Sequence, residues 1–142
     1  MLLGQVGVSL CFLAHFALIG AITGAIMNAL SALQALLAIP LGEHRSFRYA
    51  YLATLPVIAV VLALSWTGTS SAYAAIGLAL ISIGRFQLST TRFRVFLLAA
   101  VAPWVAHNVA VASVPGLIAD TCAFSAGLFA LIRSLRAHRD ES

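Results

Sequence analysis

Two short stretches carry polar groups in otherwise apolar surroundings: "LAHFALIGAITGAIMN" at residues 13–28 and "VAHNVAVASVPGLIAD" at residues 105–120. They share a frame at a constant offset of 92, which pairs His15 with His107, Gly24 with Gly116 and Asn28 with Asp120; Ala14/Ala106 and Ile26/Ile118 match as well. Imidazole, amide and carboxylate groups at these spacings could hold a small polar solute or move a proton. Asp120 is the sole acidic residue within any apolar stretch, and a carboxylate at membrane depth costs at least ~2.5 kcal/mol on insertion scales. A histidine beside it would make the two titrate as one coupled unit. Trp104, one residue after Pro103, adds an aromatic face on which a substrate ring could stack. Asn108 has Phe16 as its repeat partner and is assigned no role. The competing reading of the same residues is structural: Asn28, with Ser31 and Gln34, forms a polar stripe of the kind that ties membrane helices together at about 0.6 kcal/mol each.

These groups need helices to hold them. Six apolar stretches, near 2–20, 22–41, 48–66, 71–87, 93–112 and 115–135, are divided by charge, Gly, Pro or Ser. Most approach the roughly 20 residues that cross a hydrocarbon core of ~30 Å. The first two join through "LIGAITG" and the last two through "VASVPG", so both connections are tight helical hairpins, with Pro115 at a helix start that tolerates it. Pro56 and Pro103 fall inside spans, where membrane bundles accept local bends. His15 and Asn28 lie about equally far from the first turn, ~7–8 Å below the helix ends. His107 and Asp120 repeat the arrangement. The expected geometry is therefore His15 beside Asn28 and His107 beside Asp120, two pairs ringing a central site.

Composition sets the class. The 142 residues are 62% hydrophobic and 8% charged, with a mean hydropathy of +1.04, whereas soluble domains are about 45–50% apolar and roughly 25% charged. This is an integral membrane protein of one domain, all-α, with repeat one at 1–41, a linker helix at 48–66, repeat two at 71–135 and a short basic tail at 136–142. The lipid bilayer is its first partner. Its pI of 9.8 comes from eight arginines at the edges of spans, so nucleic acid is not an expected partner. Cys11 and Cys122, both inside apolar spans, offer neither metal spacing nor a disulfide framework and read as small packing residues. Nothing resembles a nucleophile motif, a metal-ligand cluster or a phosphate loop, so no enzyme activity, metal or cofactor is expected.

All eight arginines fall in alternate connections: Arg45 and Arg48; Arg85, Arg92 and Arg94; Arg133, Arg136 and Arg139. That one-sidedness places both termini in the cytoplasm of a six-span protein. Tyr49 and Tyr51 suit the inner aromatic belt, Trp66 and Tyr73 the outer. Because both hairpins enter from the same side, the repeats are parallel. Subtracting the offset from span four puts its counterpart ahead of Met1, so the expectation is a first helix encoded upstream, or a homodimer or other helix-supplying partner filling the groove beside span one, where Gly4 and Gly7 suit close contact.

The segments "FLAHFALIGAITGAIMNALSALQALL" and "ISIGRFQLSTTRFRVFLLAAVAPWVAHNVAVASVPGLIAD" resemble the YgjV-type bacterial inner-membrane protein family over nearly the whole chain. The resemblance implies the bacterial inner membrane and an architecture similar to the SWEET and PQ-loop carriers, in which two parallel three-helix bundles flank a linker helix. In SWEET carriers an Asn on the third helix of each bundle lines the pocket; by position these correspond to Asn28 and Asp120. "GRFQ" stands in span four where a Pro-Gln pair would be expected. The resulting expectation is a small-solute transporter whose substrate site uses Asn28, Asp120, His15, His107 and Trp104. The alternative is a membrane scaffold or partner-binding subunit, in which a dry, packed interface would surround Asn28 and Asp120.

Overall fold

A computed structural model describes residues 2–44 and 46–140, with side chains as far as Arg136. Arg45, one of the arginines expected on the cytoplasmic side, lies outside the described residues, as do the C-terminal residues 141–142 and the side chain of Arg139. The fold is all-α, with six helices: α1 (Leu2–Leu18), α2 (Ile22–Leu41), α3 (Arg48–Leu64), α4 (Thr69–Phe86), α5 (Thr90–Ala110) and α6 (Val114–Asp140). Three of them, α2, α5 and α6, are long and apolar enough to cross a bilayer. α1 and α3 are apolar but 17 residues long, about 26 Å at 1.5 Å per residue.

Boundaries depart from the sequence expectation where a side chain intervenes. α5 begins at Thr90 because Ser89 caps it, its hydroxyl accepting from the backbone N–H of Arg92, so the helix takes in residues that hydropathy leaves out. α6 continues to Asp140, through most of the stretch expected to be a tail: "IRSLRAHRD" contains no Gly or Pro to stop it. Cys11 and Cys122 are both exposed, on outward faces and not packed inside as the sequence suggested.

The two hairpins superpose in their hydrogen bonding, residue for residue. In the first, Ala21 N–H donates to Phe16 O and Gly20 N–H to Ala17 O; in the second, Ser113 N–H donates to Asn108 O and Ala112 N–H to Val109 O. This nested pair of bonds is the Schellman arrangement, which closes carbonyls that a helix end would leave bare. It demands a left-handed residue at its centre, and Gly20 (φ 75°) and Ala112 (φ 54°) occupy the same position 92 apart. Glycine adopts that conformation freely, whereas an L side chain costs roughly 1–2 kcal/mol there. Ala112→Gly is therefore expected to raise stability by about 1 kcal/mol and Gly20→Ala to lower it by a similar amount, read as opposite shifts in thermal melting of the detergent-solubilised protein.

The hairpins lie side by side. Their turns meet at one end, where His15 Nε2 is 2.8 Å from Ser113 Oγ. At the other end Leu2 and Gln5 of α1 share a cavity wall with Thr90 and Phe93 of α5. The two hairpins therefore run in parallel. α4 is the central strut: it packs against α5, α3 and α2 through a buried face on which Leu78 is flanked by the small residues Ser71, Ala74, Ala75 and Ser82. Spacing by three and four places them on one side of the helix, and their size lets backbones approach.

Polar ties fix α2 and α4 at both ends. Near the hairpin turn, Thr23 Oγ1 donates to Ser65 O at 2.6 Å and lies 2.9 Å from Ser71 Oγ. Toward the opposite end, Gln34 donates from Nε2 to Thr54 Oγ1 (2.7 Å) and Ser82 Oγ (2.9 Å), while its Oε1 accepts from the Arg85 guanidinium. Tyr49 and Phe86 take the Arg48 guanidinium over their rings at 5.2 and 4.7 Å, the amphipathic packing expected of residues at a membrane edge.

Candidate functional site

Between the hairpins lies a cavity of about 330 Å³. α1 contributes Ser9, Phe12 and Phe16; α2 contributes Asn28 and Ser31; α5 contributes Trp104 and Asn108; α6 contributes Gly116 and Asp120. Of the five site residues expected from sequence, Asn28, Trp104 and Asp120 line this cavity. His15 and His107 do not.

The expected His–Asn and His–Asp pairs do not form. Asn28 is buried and donates from Nδ2 to Gly24 O, one turn earlier on its own helix, at 3.0 Å. His15 reaches across to the other hairpin and bonds Ser113, whose hydroxyl also accepts from the Gly116 N–H at 3.1 Å. Ser113 thereby caps α6 at its third amide, a bond the repeat-one equivalent, Ala21, cannot make. His107, 1% exposed, turns its Nδ1 toward Ser70 O at 2.8 Å. A carbonyl only accepts, so Nδ1 carries a proton. Nε2 has no hydrogen-bond partner among the described residues; it faces the backbone of Gly24, where a Cβ would sit 2.5 Å from it.

Asp120 takes a different partner. Its Oδ2 accepts from Asn108 Nδ2 at 2.7 Å, across the α5–α6 hairpin. Asn108, 2% exposed, is the residue to which sequence reasoning gave no role. Its seat is made by Gly116, where any Cβ would run into the Asn108 amide. At the matching position Gly24 makes room for a different neighbour, His107, while Phe16 Cγ would lie at an ordinary contact distance of 3.4 Å from a Cβ there. The matching glycines thus admit an imidazole from the other hairpin at Gly24 and a carboxamide from the same hairpin at Gly116. The clue available in the sequence was Gly116 itself, which stands across the turn from Asn108 and four residues before Asp120.

Trp104 binds the halves together. It packs in both buried clusters, with Met27, Ala74 and Leu78 on one side and Phe16, Ala21 and Ala25 on the other. Its ring stacks on Phe16 at 6.2 Å and 16°, and meets His107 edge-on at 5.6 Å. Gly77 leaves room for the indole, 2.6 Å separating a hypothetical Cβ from Nε1. The cavity wall thus carries aromatic rings and a few polar groups, Asn28, Asn108 and Asp120, among mainly apolar residues such as Val8, Ile81 and Leu97.

The frame that sets these glycines, histidines and turns is spread over both ends of the chain, and a family model for a bacterial inner membrane protein, Imp-YgjV, matches residues 1–138. The chain belongs to this family. No curated protein and no solved structure matches it. As an Imp-YgjV protein it is placed in the bacterial inner membrane, in keeping with the exposed apolar faces of α1, α5 and α6, which include Leu3, Leu10, Val109, Ile118 and Phe129. Such faces are costly in water and expected in lipid.

Proposed function

We propose that this Imp-YgjV protein crosses the membrane six times, with both ends cytoplasmic, and carries a small solute through the space between its two hairpins, in the manner of SWEET-like parallel repeats. One observation supports this above the scaffold alternative: the interface around Asn28 and Asp120 is a cavity of about 330 Å³, within the size range of ligand pockets, where a register-fixing interface would be packed. The paired hairpins also supply what alternating access requires, two similar units either side of a site. The outer face of α1, where a Cβ on Gly4 or Gly7 would meet nothing, is where a second copy or an additional helix would pack.

Topology is tested by reporter fusions. With the arginines on one side, fusions after Arg48 and Arg92 are expected to report cytoplasm and fusions near Thr69 and Ser113 the outside. A single reversed fusion removes the six-span arrangement. The carrier itself is tested by solute-uptake screening with purified protein in liposomes. Uptake above that of protein-free liposomes for at least one small solute is the expected result, and none across charged and neutral solutes returns the chain to the scaffold reading.

A further inference from the structure

We infer that the cavity between the hairpins is a site for a small organic cation, an ammonium group carried on an apolar body. The inference rests on the reading of this cavity as a solute site and adds the class of solute. Its first support is charge. Among the residues lining the cavity Asp120 alone bears a charge, with no Arg, Lys or His beside it. The two nearby histidines are engaged elsewhere, His15 with Ser113 and His107 with Ser70. The carboxylate receives one hydrogen bond among the described residues, from Asn108 to Oδ2, which leaves Oδ1 without a donor. A carboxylate in apolar surroundings requires a counter-charge or a further donor, and an ammonium supplies both.

The second support is the balance of donors and acceptors. The amide and hydroxyl groups of the lining, Asn28, Asn108, Ser9 and Ser31, are all neutral, and the Asn108 amide already donates to Asp120. An anion would meet the carboxylate with no cation to offset it, and a neutral solute would leave the carboxylate without a counter-charge. An ammonium only donates, and a quaternary one needs no acceptor at all.

The third is the wall. Phe12, Phe16 and Trp104 form one aromatic cluster, with centroids 5.7 Å apart for Phe12 and Phe16 and 6.2 Å for Phe16 and Trp104; Phe16 is its buried member, and Phe12 and Trp104 are partly exposed. All three line the same cavity as Asp120. Ring faces attract cations, Trp most strongly, and the effect grows when water is excluded. An apolar body against Phe12 and Trp104 with its charge toward Asp120 meets the aromatic wall and the carboxylate together.

The experiment uses three ligands with one body and three charges: phenethylammonium, phenethyl alcohol and phenylacetate. The chain has two tryptophans, so Trp66→Phe leaves Trp104 as the single fluorescent reporter at the site, in lipid nanodiscs. Phenethylammonium is expected to bind at least about tenfold more tightly than either of the others, a factor equivalent to 1.4 kcal/mol. Asp120→Asn is expected to reduce its affinity to that of the alcohol and leave the alcohol unchanged. Equal affinities for the three, a preference that survives Asp120→Asn, or no binding of any would each overturn the assignment. Should the variant fail to fold, the three-way comparison on the parent protein decides alone. Flux is read separately, as uptake of labelled phenethylammonium into liposomes. A cation preference without uptake keeps the site and removes the carrier, whereas uptake of neutral solutes without a cation preference keeps the carrier and removes the site's assigned chemistry.

Discussion

Gly24→Ala is expected to destabilise the protein by about 2–4 kcal/mol, although it adds one methyl group to a helix that alanine ordinarily favours. The new Cβ would lie 2.5 Å from His107 Nε2, 2.9 Å from its Cε1 and 3.4 Å from Phe16 Cγ. None of these atoms is free to withdraw. His107 is pinned by its bond to Ser70 O and both rings are 1% exposed. Overpacking costs about 1–3 kcal/mol, and dislodging the imidazole adds the loss of a buried hydrogen bond, about 1 kcal/mol. Gly7→Ala is the control on the isolated chain, since nothing in the chain lies within 4 Å of its Cβ position, and in the monomer it should be neutral or slightly stabilising. The mechanism is checked by combining Gly24→Ala with His107→Ala: thermal melting of the double variant should show less loss than the sum of the singles, because the collision is gone. Strict additivity would show that the two residues do not meet.

Asn108→Leu, a near match in volume, is expected to cost about 2–3 kcal/mol. It removes the one donor that Asp120 has among the described residues, and hydrogen bonds to charged groups contribute about 1.5–3 kcal/mol. The asymmetry of such bonds gives the sharper test. Replacing both residues, Asn108→Leu with Asp120→Leu, removes donor and acceptor together and should be less destabilising than Asn108→Leu alone. Chemical or thermal unfolding of the three variants checks the order. A double variant worse than the single would mean that Asp120 is held by something other than Asn108.

The sequence made the helices and their pairing legible because both depend on length and repetition. The offset of 92 located the two turns and the glycines in front of them, and α1 and α5 indeed end at Leu18 and Ala110, while α2 and α6 begin at Ile22 and Val114. Depth was also legible: His15, Asn28, His107 and Asp120 all lie near the turns. What hydropathy could not supply was rotation. Neighbouring residues on a helix point about 100° apart, so His107 and Asn108 share a depth and face different helices, one toward α4 and the other toward α6. Equal depth selected the histidine; azimuth selected the asparagine. His15 shows the same effect, since its partner sits in the opposite hairpin and no spacing rule connects residues 98 apart.

The nested bonds of the two turns also bear on how the chain enters the bilayer. Bare carbonyls at a helix end are expensive in hydrocarbon, and each turn closes its own with backbone atoms alone. Each turn, that of α1 with α2 and that of α5 with α6, consequently needs no neighbour to close it. The polar side chains along the helices do need one: Thr23 and Gln34 of α2 and Ser71 and Ser82 of α4 are partners of each other. On this geometry the turns are the parts of the chain that are complete in themselves on entering the bilayer, and the bonds between α2 and α4 are closed afterwards, when those helices meet.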